Sequence, residues 1–151
     1  GVTRSPPREP PEPASPRAST SGAARGVTID TGALIGLERR KARAIHFLDL
    51  ADQGLITLHA PGVVLTEWWR GPTEVRRRIL QVVEVLPLTL AMHHAAGEAL
   101  ATVRGATAID AMVMAFAASR GEPVLTGDVE DLERLRAAFP TVRVLGLASR
   151  T

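Results

Sequence analysis

Short apolar runs alternate with longer amphipathic stretches along the chain, and this alternation predicts its secondary structure. Apolar runs bounded by Gly, Pro or Asp are typical of buried strands, whereas apolar positions three and four apart are typical of helices. Strands are predicted at 26–30, 55–58, 85–90, 123–126 and 142–147. Helices are predicted at 31–40, 41–53, around 66–70, and at 73–83, 92–104, 107–120 and 129–138.

Strands separated by helices predict an α/β fold, in which a mainly parallel central sheet lies between helices on both faces. Pro87 cannot donate a backbone hydrogen bond, so the strand that contains it is expected at an edge of the sheet. Ligands bind such sheets at the carboxyl ends of the strands. Asp30 and Asp128 stand at the ends of two predicted strands, and are therefore candidate site residues.

The composition of the first 25 residues differs from that of the rest. This segment is rich in Pro, Ser, Arg, Gly and Ala, and Val2 is its only bulky apolar residue. It cannot bury enough surface to offset the entropy of ordering, so 1–25 is predicted to be a disordered tail and 26–151 a single domain. The tail carries the whole net charge of +2, since 26–151 contains 14 basic and 14 acidic residues. A neutral body argues against a protein that coats nucleic acid through general positive charge.

Several functional classes are excluded by the residues that the sequence lacks. It has no Cys, which excludes disulfides, zinc–thiolate sites and Cys nucleophiles. It has neither an apolar run long enough for a transmembrane helix nor a secretory signal, so we expect a cytoplasmic protein. The histidines are expected at the surface, including His46, His59 and the adjacent pair His93 and His94.

Four carboxylates carry the candidate chemistry: Asp30, Glu67, Asp110 and Asp128. Taken singly, the three aspartates are also explained as helix caps, and Thr107 with Asp110 matches a capping box. Glu67, in a largely apolar helix, is explained less well by capping. If the four side chains converge, their repulsion requires a cation, and a site of oxygen ligands alone favours Mg²⁺ or Mn²⁺.

Four segments, in this order, resemble the PIN domain, and especially the toxin ribonucleases of bacterial VapBC systems. They are IDTGALI at 29–35, PGVVLTEWWRG at 61–71, AIDAMVMA at 108–115 and PVLTGDVEDL at 123–132. The resemblance extends over about 27–147. It implies a three-layer α/β/α PIN-like fold and a Mg²⁺- or Mn²⁺-dependent endoribonuclease that cleaves RNA with a metal-activated water. It also implies a type II toxin, forming a homodimer and neutralised by an antitoxin protein.

The resemblance assigns roles to the acidic residues one by one. Asp30 and Asp110 correspond to direct metal ligands, and Glu67 and Asp128 complete the site directly or through water. The Thr126 hydroxyl would orient an acid or a water. All four acids are present, so the resemblance implies an active nuclease.

The resemblance also extends to residues around the acids. Thr31 would supply a second orienting hydroxyl, Arg70 is the candidate contact for an RNA phosphate, and Gly32 occupies a position where a small hydroxyl residue is expected. The apolar surface of 31–53 is the candidate groove for an antitoxin helix. Its apolar residues include Leu34, Ile35, Ile45, Phe47 and Leu48.

Three alternatives remain open at the level of sequence. Asp30-Thr31-Gly32 also matches the aspartic protease motif, but that site needs two such aspartates and a strand-rich fold. A phosphoaspartyl enzyme also uses acids at strand ends, but it usually needs a Lys, and Lys41 is the only one here. A catalytically silent PIN-fold module would act through protein–protein interaction alone, and an RNA cleavage assay distinguishes it from the nuclease.

Overall fold

The strands and helices follow the predicted alternation. The computed structural model describes residues 25–148. The predicted tail lies outside this range except for Arg25, which begins the first strand. The strands are β1 (Arg25–Ile29), β2 (Ile56–Pro61), β3 (Val83–Leu86), β4 (Val124–Thr126) and β5 (Val144–Gly146). The helices are α1 (Thr31–Glu38), α2 (Ala42–Asp52), α3 (Gly62–Trp68), α4 (Glu74–Val82), α5 (Leu90–Thr102), α6 (Ala108–Arg120) and α7 (Val129–Leu135).

The five strands form one parallel sheet in the order β3-β2-β1-β4-β5. The chain runs outward from β1 to β3 and then places β4 on the other side of β1, so the strand order reverses between β1 and β4. Helices α1, α2 and α4 pack together, and α6 packs against α5 and α7. The predicted three-layer α/β/α fold is therefore confirmed. The third strand also lies at an edge of the sheet as expected, but it spans Val83–Leu86 rather than the predicted 85–90, so Pro87 lies just beyond it.

Helix α6 is the most deeply buried helix of the described chain. Its side chains Val113, Met114 and Phe116 are at most 1% exposed, because β1 and β4 cover one side of the helix and α5 and α7 the other. Gly121 ends the helix in the left-handed conformation, with φ 65°, which glycine adopts without strain. The start of α6, which carries Asp110, is therefore held firmly against the sheet.

Two helix boundaries differ from the predicted ones in ways that affect the candidate site. Helix α3 ends at Trp68, and Trp69 is already extended, with φ −69° and ψ 127°. Glu67 consequently lies in the last turn rather than in mid-helix, and Arg70 lies beyond the helix. The predicted helices at 31–40 and 41–53 are separated by a tight turn, in which Arg40 has a φ of 56°. Within 25–148, every helix is too short or too polar to cross a bilayer.

Candidate active site

The reversal of strand order creates a crevice at the carboxyl ends of β1 and β4, where ligands bind in folds of this class. Asp30 directly follows β1, and Thr126 is the last residue of β4. The loops that follow these strands touch through two glycines, since a Cβ on Gly32 would lie 3.0 Å from the backbone of Gly127. A side chain at this position would require one loop to shift by a few tenths of an ångström, so glycine suits the close approach.

Asp30 lies at the carboxyl end of β1 and is only 7% exposed. Its Oδ1 accepts a hydrogen bond from the Ala33 amide at 2.8 Å, which makes Asp30 the N-cap of α1, and its Oδ2 accepts from the Thr126 hydroxyl. Burial raises the pKa of Asp30 despite these hydrogen bonds, and the nearby charge of Asp110 raises it further. Capping and membership of the acidic cluster are therefore compatible at this residue.

Asp110 lies at the centre of the acidic cluster, in the first turn of α6. Its amide donates to the Thr107 hydroxyl at 3.2 Å, which caps the helix as predicted. Burial raises the pKa of Asp110, a hydrogen bond with Thr107 opposes the shift, and the charges of Asp131, Asp128 and Glu67 add to it. The four predicted acids thus lie close enough for their charges to interact.

Glu67 reaches the cluster from α3. Its side chain is exposed, and its Oε1 accepts a hydrogen bond from the hydroxyl of Thr31, the first residue of α1. The predicted orienting contact of Thr31 with a site acid is therefore present. This contact links the last turn of α3 to the same helix that Asp30 caps.

Asp128 and Asp131 complete the cluster on the α7 side. The Asp128 amide donates to the Thr126 hydroxyl at 2.8 Å, but its carboxylate makes no capping hydrogen bond to α7. Asp128 therefore occupies the N-cap position of α7 but does not cap the helix through its side chain. The nearby Asp128 carboxylate raises the pKa of Asp131. Asp131 is not among the residues predicted from the sequence. It lies three residues after Asp128, and this spacing, which brings side chains together on a helix, could have indicated it.

The donor chemistry of this cluster fits Mg²⁺ or Mn²⁺, which prefer carboxylate oxygens. Burial and mutual repulsion raise the pKa of both Asp30 and Asp110, whereas Asp131 at the border of the cluster pairs with Arg134 at 3.4 Å. Within 25–148, however, no three Asp, Glu, His or Cys side chains are grouped closely enough to hold one ion together. Mg²⁺ often keeps several waters and binds through only one or two carboxylates, so the arrangement remains suited to it.

Arg70 has a structural role in the described chain. Its guanidinium donates to the carbonyls of Thr66 at 3.3 Å and Trp69 at 2.7 Å, which satisfies carbonyls at the end of α3. The side chain is nevertheless exposed and lies three residues from Glu67. Its contact with an RNA phosphate stays a prediction.

A sequence model of the PIN domain matches residues 27–138, a stretch that contains all four predicted acids. The chain belongs to the PIN domain family. No curated protein sequence matches it significantly. The family match covers every strand except β5, together with the crevice between β1 and β4.

Several solved structures share this PIN fold. VapBC2 of Rickettsia felis, bound to promoter DNA, has a TM-score of 0.62 at 12% identity over 80% of this chain and 98% of the other. DNA-bound VapBC of Salmonella typhimurium has 0.60 at 18%, over 83% and 99%. FitAcB of Neisseria gonorrhoeae has 0.58 at 15%, over 80% and 97%. At these identities the similarity shows the fold alone.

Proposed function

We propose that this PIN domain is a cytoplasmic, Mg²⁺- or Mn²⁺-dependent endoribonuclease that acts as the toxin of a type II toxin–antitoxin system. The observation that carries the proposal is the convergence of Asp30, Glu67, Asp110 and Asp128 on one crevice, within the segment that matches the family. Such a cluster of negative charge is unfavourable for an isolated protein and becomes favourable once a cation binds.

The proposed mechanism assigns a task to each acid. Asp30 and Asp110 are the direct metal ligands, and Glu67, Asp128 and Asp131 complete the site, directly or through water. When bound, the ion would activate a water for in-line attack on phosphorus and stabilise the negative charge that develops on the phosphate. Arg70 would contact a neighbouring RNA phosphate.

The two threonine hydroxyls are proposed to preorganise this site. Thr126 donates to Asp30 and accepts from the Asp128 amide, while Thr31 donates to Glu67. Carboxylates that are already oriented need little reorganisation when the ion and the RNA bind, and this lowers the activation barrier.

The antitoxin is proposed to bind a groove between α1, α2 and α4. Leu37, Ile45, Leu48 and Val75 line this groove, and Arg78 stands beside them. The groove also has Arg40 and the acidic Glu38 in its lining, so it fits an amphipathic helix whose acidic residues face the two arginines. Of the residues predicted from 31–53, Ile45 and Leu48 line it, whereas Leu34 is fully buried and unavailable.

The homodimer belongs to the proposal through the resemblance to the toxin family. Exposed apolar side chains do not locate its interface, because Leu55, Leu90 and Val129 are exposed singly on different parts of the described chain. Light scattering of the purified protein tests this part of the proposal, since a monomer at micromolar concentration would contradict it.

The function is tested by incubating the purified protein with single-stranded RNA and with DNA of the same sequence. We expect internal cleavage of the RNA with Mg²⁺ or Mn²⁺ and none in the presence of a chelator. Cleavage that continues in the chelator would contradict metal dependence. A protein that binds its antitoxin tightly and cleaves no RNA under any metal condition would instead support the silent PIN-fold module.

A further inference from the structure

A polar cluster outside the acidic crevice surrounds Trp68, the residue that follows Glu67. The Trp68 indole is 4% exposed, and its Nε1 donates to Glu38 Oε1 at 3.0 Å. The other carboxylate oxygen of Glu38 pairs with Arg76 at 3.1 Å, and the Arg76 guanidinium lies 6.0 Å from the centre of the Trp68 ring. These three residues, here called the Trp68 clamp, come from three different helices: α1, α3 and α4.

The clamp orders long side chains in a largely buried position. The Arg76 and Glu38 side chains are only 18% and 28% exposed. Removing such a pair from water has a free-energy cost that often cancels its attraction, so an ion pair of this kind is a weak source of stability. Its main effect is geometric, because Glu38 holds Trp68 and Arg76 in one arrangement.

Helix α3 requires such support at its end. It has only seven residues, and helices this short are marginal unless neighbouring elements hold them. Glu67 lies in the last turn with an exposed side chain, where fraying would displace its carboxylate. Thr31 and Glu38 are the first and last residues of α1, and they contact Glu67 and Trp68 respectively. Both ends of α1 therefore hold the last turn of α3.

Arg76 extends the same restraint beyond the helix. Its guanidinium donates to the Gly71 carbonyl at 3.0 Å, so the segment that connects α3 to α4 is also tied to the clamp. The chain on each side of Trp68 is thus fixed within a few residues of Glu67.

We propose that the Trp68 clamp is a positioning device for Glu67, which sets how well the acidic crevice binds its metal ion. This inference rests on the proposed function, because it assigns Glu67 to the metal site. Glu38, Trp68 and Arg76 are positioning residues, since they act through α3 and none of them belongs to the acidic cluster. Loss of the clamp should therefore weaken metal binding and slow turnover, while RNA binding changes little.

Two substitutions open the clamp, and one should keep its indole hydrogen bond. Trp68→Phe keeps an aromatic ring but removes the indole donor and part of the buried volume, and Glu38→Ala removes the acceptor. Glu38→Gln keeps an oxygen that can accept from Trp68, although its amide nitrogen cannot accept from Arg76. Val103→Ala is the matched control, because it removes buried apolar volume at the end of α5 and touches none of the clamp.

The full-length variants are compared by Mn²⁺ titration calorimetry, by kcat and KM for a model RNA, and by hydrogen exchange of amides 65–69. With Trp68→Phe and Glu38→Ala we expect about tenfold weaker Mn²⁺ binding and a similar fall in kcat, with KM within about twofold. Faster exchange at 65–69 should accompany these losses. Glu38→Gln should recover most of the Mn²⁺ affinity, and Val103→Ala should retain it at an equal loss of thermal stability.

Two outcomes would overturn the inference in distinguishable ways. If the wild type binds Mn²⁺ and cleaves RNA, but the clamp variants do so equally well or no worse than Val103→Ala, the positioning role is wrong and the proposed function stands. If the wild type neither binds Mn²⁺ nor cleaves RNA, the proposed function fails and the positioning role fails with it.

Discussion

At the scale of single residues, Asp30 combines an observed structural task with a proposed chemical one. Its Oδ1 caps α1 and its Oδ2 is held by Thr126, so the same contacts that start the helix also orient the carboxylate in the crevice. Burial raises the pKa of Asp30, which means that the ionised form is disfavoured in the folded protein. The observed cap is therefore compatible with the proposed role of Asp30 as a metal ligand.

The charge on Asp110 should destabilise the metal-free protein. Burial and the neighbouring acids raise its pKa above the ordinary value of 3.8. Ionisation therefore costs more in the folded state than in the unfolded state, and this cost develops as the pH rises through the ordinary pKa towards the folded one. In chelator at pH 7, we expect Asp110→Asn to raise the melting temperature by about 2–4 °C, which is roughly 1 kcal/mol in a domain of this size.

The melting temperature in the presence of Mn²⁺ is a second test of the charge on Asp110. Mn²⁺ should raise the melting temperature of the wild type by mass action and raise that of Asp110→Asn much less. Calorimetric melting in chelator and in Mn²⁺ gives both values. A variant that melts below the wild type in chelator would show that the carboxylate is stabilising instead.

The Thr126 hydroxyl should be essential to the arrangement of the acids. Thr126→Val keeps the volume but removes the hydroxyl that donates to Asp30 Oδ2 and accepts from the Asp128 amide. We expect a loss of about 1–3 kcal/mol in the free energy of unfolding and a 10–100-fold loss of RNA cleavage. Thr126→Ser keeps the hydroxyl and should retain most of both. If Thr126→Val and Thr126→Ser were equally active, the hydroxyl would have no orienting role.

The four acids could be predicted from the sequence because each lies in a short segment that resembles the PIN domain, and the segments follow one another in the expected order. They are Asp30, Glu67, Asp110 and Asp128. The sequence did not indicate which pairs interact, since contacts such as Thr31 with Glu67 join residues 36 positions apart. His59 is a clear error: it was expected at the surface, but it is 7% exposed and pairs with Glu122 at 2.8 Å. The sequence around His59 does not indicate this pairing, because Glu122 lies 63 residues further along the chain, after α6.

At the scale of elements, the approach of the β1–α1 and β4–α7 loops determines the shape of the crevice. Gly32→Ala would place a Cβ 3.0 Å from backbone atoms of Gly127, so one loop must move by a few tenths of an ångström. We expect about a tenfold loss of RNA cleavage, because small displacements of catalytic groups are costly.

The control for this change is Gly97→Ala on the exposed side of α5. A Cβ there would meet no atom within 4 Å, and Ala favours the helix by roughly 0.5–1 kcal/mol. This variant should be more stable than the wild type and fully active. Full activity in Gly32→Ala as well would mean that the glycine contact does not control the site.

A second feature at the scale of elements is a buried hydrogen-bond network around the carboxylate of Glu122. Glu122 accepts hydrogen bonds from Thr28 at 2.9 Å and Arg120 at 3.1 Å, in addition to its pair with His59. Burial opposes the ionisation of Glu122, but the hydrogen bonds and the positive charges outweigh it and hold its pKa below the ordinary value of 4.5. The network connects β1, β2 and the end of α6 through one carboxylate.

The depressed pKa of Glu122 predicts how stability depends on pH. The ionised carboxylate stabilises the fold above the ordinary pKa, and this stabilisation is lost as the pH falls through the lower folded value. At pH 7 we expect Glu122→Gln to lose about 1.5–3 kcal/mol of unfolding free energy, the range for hydrogen bonds to a charged group. The difference from the wild type should shrink below about pH 4.5.

Urea unfolding between pH 3 and pH 8 measures this dependence. Glu98→Gln on the exposed surface of α5 is the control and should follow the wild type at every pH. A constant difference between Glu122→Gln and the wild type across this range would exclude a contribution from the charge.

At the scale of the whole molecule, the sequence predicted the α/β alternation and the edge strand, because hydrophobic periodicity and Pro87 depend on local chemistry. The placement of β4 beside β1 depends on how α5 and α6 cross the sheet, which no local pattern encodes. That placement alone brings Asp30 and Thr126 to one crevice. At the level of sequence, the resemblance to the PIN domain indicated that these residues share a site, which hydrophobic periodicity could not indicate.

The central claim is that one acidic crevice cleaves RNA with a bound divalent ion. Its most direct test is the RNA cleavage rate measured against Mn²⁺ concentration for the wild type, Asp30→Asn, Asp110→Asn and the surface control Glu98→Gln. The account predicts saturable cleavage by the wild type and the control, and a loss of at least about 100-fold in both aspartate variants. Cleavage by Asp30→Asn and Asp110→Asn at the wild-type rate would contradict it.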